Sequence, residues 1–309
     1  MRHRYLALLL LVFTLSSCNH TTEMATLRTE LIANAAKLEE RTLTTEDTSI
    51  HYKIGGKGQE TILLVHGFGA NGMMGWATQV KALASAYRII IPDLLWFGKS
   101  HADITPSLRT QTNAMRAILD HEGIEHVHII GVSYGGFVTM DLVNESPERI
   151  KSAIIMDSPG PDSASDAIDN IRKKFDVDSP EEVFVPTTPA QVQQLMQLAM
   201  HRTIPPFPKG ALSDLHKEIF SAYPDQQRAL IRELTQMKPE DRPNLDMWST
   251  PSLVIWGEFD TVFPLPIGEK LAATLSAPIV VIPDTAHTPN QEKPRLVNEA
   301  ILSFLAAQP

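Results

Sequence analysis

The chain has 309 residues, of which 43% are hydrophobic and 20% charged, a composition typical of a globular protein with a full buried core. This length accommodates one large α/β domain or two smaller domains. The formal net charge of −9 disfavours a nucleic-acid partner, because a negative surface repels the phosphate backbone.

The first residues are typical of an export signal rather than of a folded element. Arg2 and Arg4 form a basic start, and residues 5–15 form an apolar segment too short to span a bilayer comfortably. The segment LSSC at residues 15–18 resembles the lipobox of bacterial lipoproteins. That resemblance implies cleavage after residue 17 and diacylation of Cys18.

Cys18 is the only cysteine in the sequence, which excludes disulfides and thiolate metal sites. By the same resemblance, Asn19 in place of aspartate indicates the outer membrane. We therefore expect residues 1–17 to be a lipoprotein signal peptide and the protein to be lipid-anchored in the bacterial cell envelope. A plain secretory leader with an incidental cysteine, or an uncleaved anchor, stays open as an alternative.

The segment after the anchor predicts a short helical tether over residues 18–40, with an apolar stripe at Leu27, Leu31, Ala35 and Leu38. A strand pair is expected from residue 44 to Gly55-Gly56. Further apolar runs then alternate with helical stretches, as in a mostly parallel, doubly wound α/β sheet. The runs are TILLVHG near 61, YRIIIPD near 87, VHIIGVS near 127, IKSAIIMD near 150, PSLVIWGE near 251 and APIVVIPD near 277.

One long interval, residues 161–250, contains helical patterns and no strand-like run. We expect a helical cap there, inserted into a core formed by residues 41–160 and 251–309. The segment PAQVQQLMQLAM is an example, since its apolar residues recur at helical spacing.

The stretch GVSYGGF, residues 131–137, follows the apolar run VHII and precedes a helical pattern. A strand, a tight turn and a helix form the context of a nucleophile elbow, in which Ser133 Oγ stands above the sheet. Gly131 and Gly135 would let strand and helix approach without Cβ clashes. The alternative is a purely structural Gly-Ser turn.

A serine nucleophile needs a base and an acid, which follow it in the order serine, acid, histidine in this context. His287, in the loop after the last strand, is the predicted base. Asp260, in the loop after the preceding strand, is the predicted acid, because doubly wound sheets build their sites at the carboxyl ends of strands. The competing acids form a short list: Asp157, and more distantly Glu258 and Asp284.

An oxyanion hole completes the predicted site. The amide after the nucleophile, that of Tyr134, is one donor, and the amide of Phe68 in the loop HGFG is the other. His66 in that loop has no second histidine or carboxylate at ligand spacing, so neither a metal nor a cofactor is expected.

Six motifs in order, VHGFG, PDLLWFGKS, GVSYGG, SPERIKSAIIMDS, WGEFDTVFP and DTAHTPNQEKP, resemble those of the α/β-hydrolase superfamily. The resemblance is greatest to bacterial esterases and lipases with a helical cap, a group similar to the carbon–carbon bond hydrolases of aromatic degradation. Leu95 and Trp96 depart from the usual proline and glycine, and would alter the pocket lining. Bulky residues near the site suit either an acyl or aryl pocket or plain packing: Met73, Met74, Trp76, Trp96 and Phe97.

The predicted function is hydrolysis of carboxylic esters, as in an esterase or lipase, through an acyl-enzyme on Ser133. A serine in this position argues against epoxide hydrolases and haloalkane dehalogenases, whose nucleophile is an aspartate. A lipid anchor at Cys18 favours ester or lipid substrates at a lipid–water boundary. The alternatives are a carbon–carbon bond hydrolase of the meta-cleavage type and a catalytically inactive binding lipoprotein.

Overall fold

A nine-stranded sheet forms the centre of the protein, for which a computed structural model describes residues 21–308. The strands are β1 (Glu39–Thr44), β2 (Thr48–Gly56), β3 (Thr61–Val65), β4 (Arg88–Pro92), β5 (His101–Ala102), β6 (Val127–Val132), β7 (Ile150–Met156), β8 (Ser252–Gly257) and β9 (Ile279–Ile282). Their order is β1-β2-β4-β3-β6-β7-β8-β9, with β5 paired to β2. The strands from β4 to β9 along this order are parallel, and β1, β2 and β5 pair antiparallel.

Helices cover the sheet. They are α1 (Thr21–Ala35), α2 (Gly72–Leu83), α3 (Leu108–His121), α4 (Tyr134–Glu145), α5 (Ala164–Phe175), α6 (Glu181–Phe184), α7 (Pro189–Ala199), α8 (Lys209–Phe220), α9 (Pro224–Gln236), α10 (Leu265–Thr274), α11 (Pro289–Glu292) and α12 (Pro294–Ala306). Short 3₁₀ turns occupy Pro147–Arg149 and Pro239–Asp241. Among the described residues, no helix is both long and apolar enough to span a bilayer.

Strand β3 shows why the predicted strands are continuous apolar runs. Leu63 and Val65 belong to the core cluster that contains α3, α4 and α10, whereas Ile62 and Leu64 belong to the cluster that contains α2 and α12. Alternate side chains of a strand point to opposite faces, so a strand covered on both sides is apolar at every position. This arrangement confirms the predicted α/β-hydrolase fold with a mostly parallel, doubly wound sheet.

Helices α5 to α9 all lie between β7 and β8, an interval that the structure describes completely and that contains no strand. Helix α7 begins with a capping box, in which the Thr188 hydroxyl accepts from the Gln191 amide and Pro189 occupies the first turn. Val192, Ile219 and Phe220 form a separate buried cluster of this cap, against which Phe68 of the core packs.

The predicted apolar stripe of the tether is confirmed at Leu38 and is wrong at Leu27, Leu31 and Ala35, which are exposed. Leu27 and Leu31 are 52% and 59% exposed, whereas Ala33 and Leu38 are buried in the core cluster below the sheet. The helix packs against the core through Ala33 and Ile32. Strand β1 begins at Glu39, inside the segment expected to be tether. Cys18 lies outside the described residues.

Candidate active site

The turn at Ser133 has the strained geometry of a nucleophile elbow. Strand β6 ends at Val132, α4 begins at Tyr134, and Ser133 between them has φ 53° and ψ −120°. A Cβ at Gly131 would lie 2.2 Å from the Gly135 carbonyl oxygen, and one at Gly135 would lie 2.3 Å from that of Val65. The expectation that both glycines permit close approach of strand and helix is confirmed.

The strand order brings the nucleophile, the base and two of the candidate acids to the carboxyl ends of neighbouring strands. Strands β6, β7, β8 and β9 are consecutive neighbours and run parallel, so their carboxyl ends lie side by side. Ser133 follows β6, Asp157 follows β7, Asp260 follows β8 and His287 follows β9. Residues that are far apart in the chain thus meet above adjacent strand ends.

Ser133, His287 and Asp260 form one hydrogen-bonded chain. His287 Nε2 lies 2.8 Å from Ser133 Oγ, and His287 Nδ1 lies 2.8 Å from Asp260 Oδ2. The other oxygen of Asp260 accepts from the amides of Val262 and Phe263 at 2.7 and 3.0 Å. Asp260 and His287 are 4% and 7% exposed, so the hydrogen bond between them is shielded from water.

The three competing acids differ from Asp260 in their exposure and in their hydrogen bonds. Glu258 and Asp284 are exposed, and the Glu258 carboxylate accepts from the Asp284 amide at 3.1 Å. Asp157 is completely buried beside Asp260 and His287, and its Oδ1 accepts from the Gly257 amide at 2.8 Å. Burial, followed by the nearby charge of Asp260, raises the pKa of Asp157 well above its ordinary value.

Asp157, Asp260 and His287 are also the one group of potential metal ligands among residues 21–308, with ligand atoms within 4.8 Å of one another. Both ring nitrogens of His287 are already engaged, with Ser133 and with Asp260. The arrangement therefore suits proton transfer between neighbouring groups better than metal ligation.

The proposed oxyanion donors flank the serine. The Tyr134 amide is the first of α4, and first-turn amides have no acceptor within the helix. On the other side, a Cβ at Gly67 would lie 3.1 Å from Ser133 Cβ, so the backbone that leads into Phe68 passes close to the nucleophile. The Phe68 ring is held edge-on by Phe97 and Tyr134, which fixes this loop.

His66 is a structural residue of the same loop. It is completely buried, its Nδ1 donates to the Gly67 carbonyl oxygen at 2.7 Å, and its Nε2 accepts from the Leu94 amide at 2.9 Å. Burial lowers the pKa of His66, so the imidazole is neutral, as this donor and acceptor pair requires.

The loop that carries His287 is held by contacts that the sequence did not predict. Glu292 accepts from the amides of Ala286 and His201 at 2.7 and 3.0 Å, which joins the histidine loop to the cap. The Asn290 side chain donates to the Gly75 carbonyl oxygen at 2.9 Å, which joins the loop to α2. No local pattern signals the contacts with the cap and with α2, because His201 and Gly75 are distant in the chain from Glu292 and Asn290.

A cavity of about 220 Å³ opens at Ser133 and His287 between the core and the cap. The core side is lined by Phe68, Met74 and Val262. The cap side is lined by apolar residues throughout: Phe184, Val192, Leu195, Met196, Leu198, Ala199, Leu215, Ile219 and Phe220. Among the described residues that line it, His287 is the only one with a titratable side chain.

The bulky residues of the sequence motifs contribute unequally to this lining. Met74 lines the cavity, whereas Trp76, Trp96 and Phe97 are buried in the core clusters. The expectation that Leu95 and Trp96 alter the pocket lining is wrong. Trp96 adopts φ 67°, its indole donates to the Ala102 carbonyl oxygen at 3.1 Å, and its side chain is buried in the core cluster that contains α3, α4 and α10.

A family model described as alpha/beta hydrolase fold matches residues 60–294. The chain belongs to the alpha/beta hydrolase family. As this family and its relatives indicate, the protein is a hydrolase. One curated relative, the 2-hydroxy-6-oxononadienedioate/2-hydroxy-6-oxononatrienedioate hydrolase of Paraburkholderia xenovorans, is 28% identical over 279 residues, which cover 84% of this chain and 91% of the relative.

Two solved structures are similar to this chain in fold. A thermophilic esterase from Thermogutta terrifontis is 26% identical, with a TM-score of 0.68 over 87% of this chain and 98% of that one. A membrane phospholipase A described as a bacterial virulence factor is 23% identical, with a TM-score of 0.75 over 98% of both chains.

Proposed function

We propose that this alpha/beta hydrolase cleaves carboxylic esters with an apolar acyl part through an acyl-enzyme intermediate. Ser133 Oγ attacks the ester carbonyl while His287 Nε2 takes the serine proton, and Asp260 stabilises the imidazolium that forms. The amides of Phe68 and Tyr134 donate to the oxyanion. His287 then protonates the leaving alcohol and activates the water that releases the carboxylic acid.

The uncharged cavity is the observation that carries this proposal. Its described lining residues provide no lysine or arginine to pair with a carboxylate. A substrate with two carboxylates, such as the dioates in the name of the curated relative, would lose hydration there without compensation, at a cost of several kcal/mol. A hydrocarbon chain instead gains about 0.8 kcal/mol for each buried CH₂ group.

We also propose that the substrates are lipid-like esters met at a membrane surface. This part depends on lipidation of Cys18 and on an outer-membrane location in the cell envelope. An anchored enzyme encounters esters that concentrate at the lipid–water boundary. The apolar cavity suits such substrates, since its walls offer only dispersion and hydrophobic contacts to the acyl chain.

Carbon–carbon bond hydrolysis is the second candidate, favoured by the curated relative from P. xenovorans. One experiment separates the two candidates. The full-length protein in detergent is assayed with p-nitrophenyl esters from acetate to palmitate and with a 2-hydroxy-6-oxo dienedioate. We expect kcat/KM for the best ester to exceed that for the dienedioate by at least about 10²-fold, and the opposite ratio would overturn ester hydrolysis.

A further inference from the structure

The two buried carboxyl groups beside His287 are held in very different ways. Asp260 receives three donors, namely the amides of Val262 and Phe263 and the Nδ1 of His287. Asp157 receives one, the Gly257 amide. Its second oxygen is buried and has no hydrogen-bond partner in the part of the chain that the structure describes.

These donors decide which group carries the negative charge. Three hydrogen bonds stabilise the carboxylate of Asp260, whereas one donor is insufficient for a completely buried carboxylate at Asp157. Oxygens of both groups and a nitrogen of His287 lie within 4.8 Å of one another. Two carboxyl groups at this separation do not both ionise at neutral pH, so Asp157 keeps its proton.

The backbone holds Asp157 at this place despite an unfavourable conformation. Its φ is 43°, in the left-handed region that residues other than glycine rarely adopt, although aspartate and asparagine are enriched there. The Asp157 amide also donates to the Ile255 carbonyl oxygen at 3.1 Å. Both the backbone and the side chain of Asp157 are thus hydrogen-bonded to β8, the strand that leads to Asp260, and its carboxyl group cannot move away from the site without losing the hydrogen bond from the Gly257 amide.

We propose that Asp157 is a reserve acid of the triad, which stays neutral beside Asp260 in the wild-type enzyme and becomes the anionic partner of His287 when Asp260 is neutralised. This inference rests on the proposed function of Ser133, His287 and Asp260. The titratable groups that face Asp157 are Asp260, His287 and, at longer range, Glu292. Replacement of Asp260 by asparagine removes the like charge that holds the proton on Asp157, so Asp157 then ionises as the pH rises.

The test compares Asp260→Asn with the double variant Asp157→Asn/Asp260→Asn in the full chain. The rate at which a fluorophosphonate labels Ser133 is measured from pH 6 to pH 10. We expect Asp260→Asn to be labelled about 10⁴-fold more slowly than wild type at pH 7, because the imidazole loses its anionic partner. The rate should recover by about 10²-fold toward pH 10, and the double variant should show no such recovery.

The double variant also controls for direct activation of the serine by hydroxide. Equal recovery in both variants would assign the effect to hydroxide and overturn the reserve-acid role. Labelling reports on the reactivity of Ser133 and not on ester cleavage. A protein that is labelled but cleaves no ester would therefore overturn the proposed function, whereas the comparison of the two variants would still test the role of Asp157.

A single variant gives a second test that does not depend on the folding of Asp260→Asn. Asp157→Asn retains the shape and the neutral charge that we assign to the wild-type side chain. We expect the pH midpoint of its labelling rate, measured from pH 6 to pH 9, to equal that of wild type. A midpoint displaced by about one pH unit would show that Asp157 is charged in the wild type and would overturn the proposal.

Discussion

His287 Nε2 lies 2.8 Å from Ser133 Oγ, although 154 positions separate the two residues in the chain. The strand order explains this proximity, because β6 and β9 are separated by only two strands and all four run in the same direction. Ser133 is held by the strained turn after β6, and His287 by a loop fastened to α2 and to the cap. The nucleophile and the base are therefore positioned by independent elements, and each can be tested separately.

Ser133→Ala should abolish ester hydrolysis. Removal of the hydroxyl eliminates the acyl-enzyme route, and the expected loss in kcat is on the order of 10⁶. The measurement is turnover of a p-nitrophenyl ester together with fluorophosphonate labelling. Ser85→Ala, at an exposed serine in the turn before β4, is the matched control and should retain wild-type rates. Labelling that persists in Ser133→Ala would assign the nucleophile to another residue.

Asp260→Asn should reduce kcat at pH 7 by about 10⁴, because the imidazolium formed at His287 loses its anionic partner. The control variants Glu258→Gln and Asp284→Asn remove the exposed candidates for the acid, and both should stay within about threefold of wild type. A loss in Glu258→Gln that equals that in Asp260→Asn would contradict the assignment of the acid.

The six parallel strands could be predicted from the sequence, because strands that helices cover on both faces contain continuous apolar runs, as ILLV does in β3. Strand β1 could not, because EERTLT lies at the edge of the sheet and its side chains are mostly exposed. The residues of the hydrogen-bonded chain were also predictable, since each follows a recognisable strand. The hydrogen bonds that hold the His287 loop could not be predicted, because Glu292 and Asn290 bond to groups 91 and 215 positions away in the chain.

Leu195→Trp should shift the preference of the enzyme toward short acyl chains. Leu195 lines the cap side of the cavity, and a Cβ at Gly69 would lie 3.6 Å from its side chain, so a larger residue here narrows the space above Ser133. We expect kcat/KM for an octanoate ester to fall by about 10-fold or more, and that for an acetate ester by less than about threefold. Gln194→Trp, on the exposed side of α7, is the control.

Equal losses on both esters in Leu195→Trp would mean that the acyl chain does not lie against α7. A loss in Gln194→Trp of the same size would instead indicate a disturbed cap.

Cys18→Ser should release the protein from membranes while hydrolysis of soluble esters stays unchanged. Under the proposed lipidation, the diacylated cysteine would supply the membrane affinity, and no described helix is long and apolar enough to span a membrane. The measurement is the distribution between the membrane and soluble fractions after expression in a bacterial host. Ser17→Thr, which retains the cysteine, is the control. Continued membrane attachment of Cys18→Ser would contradict the lipid anchor.

Glu233→Gln should make the protein more stable in alkaline solution. Glu233 on the cap helix α9 accepts from the Leu108 amide at the start of α3, with a distance of 2.6 Å to Oε2. Burial, and then the nearby Asp141 and Asp241, raise the pKa of Glu233 to about 7, from an ordinary value of 4.5. Between these values the folded state binds more protons than the unfolded state, so the free energy of unfolding falls as the pH rises through this range.

Glutamine retains an oxygen that can accept from the Leu108 amide and carries no charge at any pH. We therefore expect the Tm of Glu233→Gln to exceed that of wild type by about 2–4 °C at pH 8.5 and to equal it near pH 4, below the ordinary pKa of glutamate. Thermal unfolding followed by circular dichroism at both pH values is the measurement, and Glu240→Gln, at an exposed position, should change neither. A lower Tm for Glu233→Gln at pH 8.5 would mean that the charged hydrogen bond to α3 outweighs the cost of burying the charge.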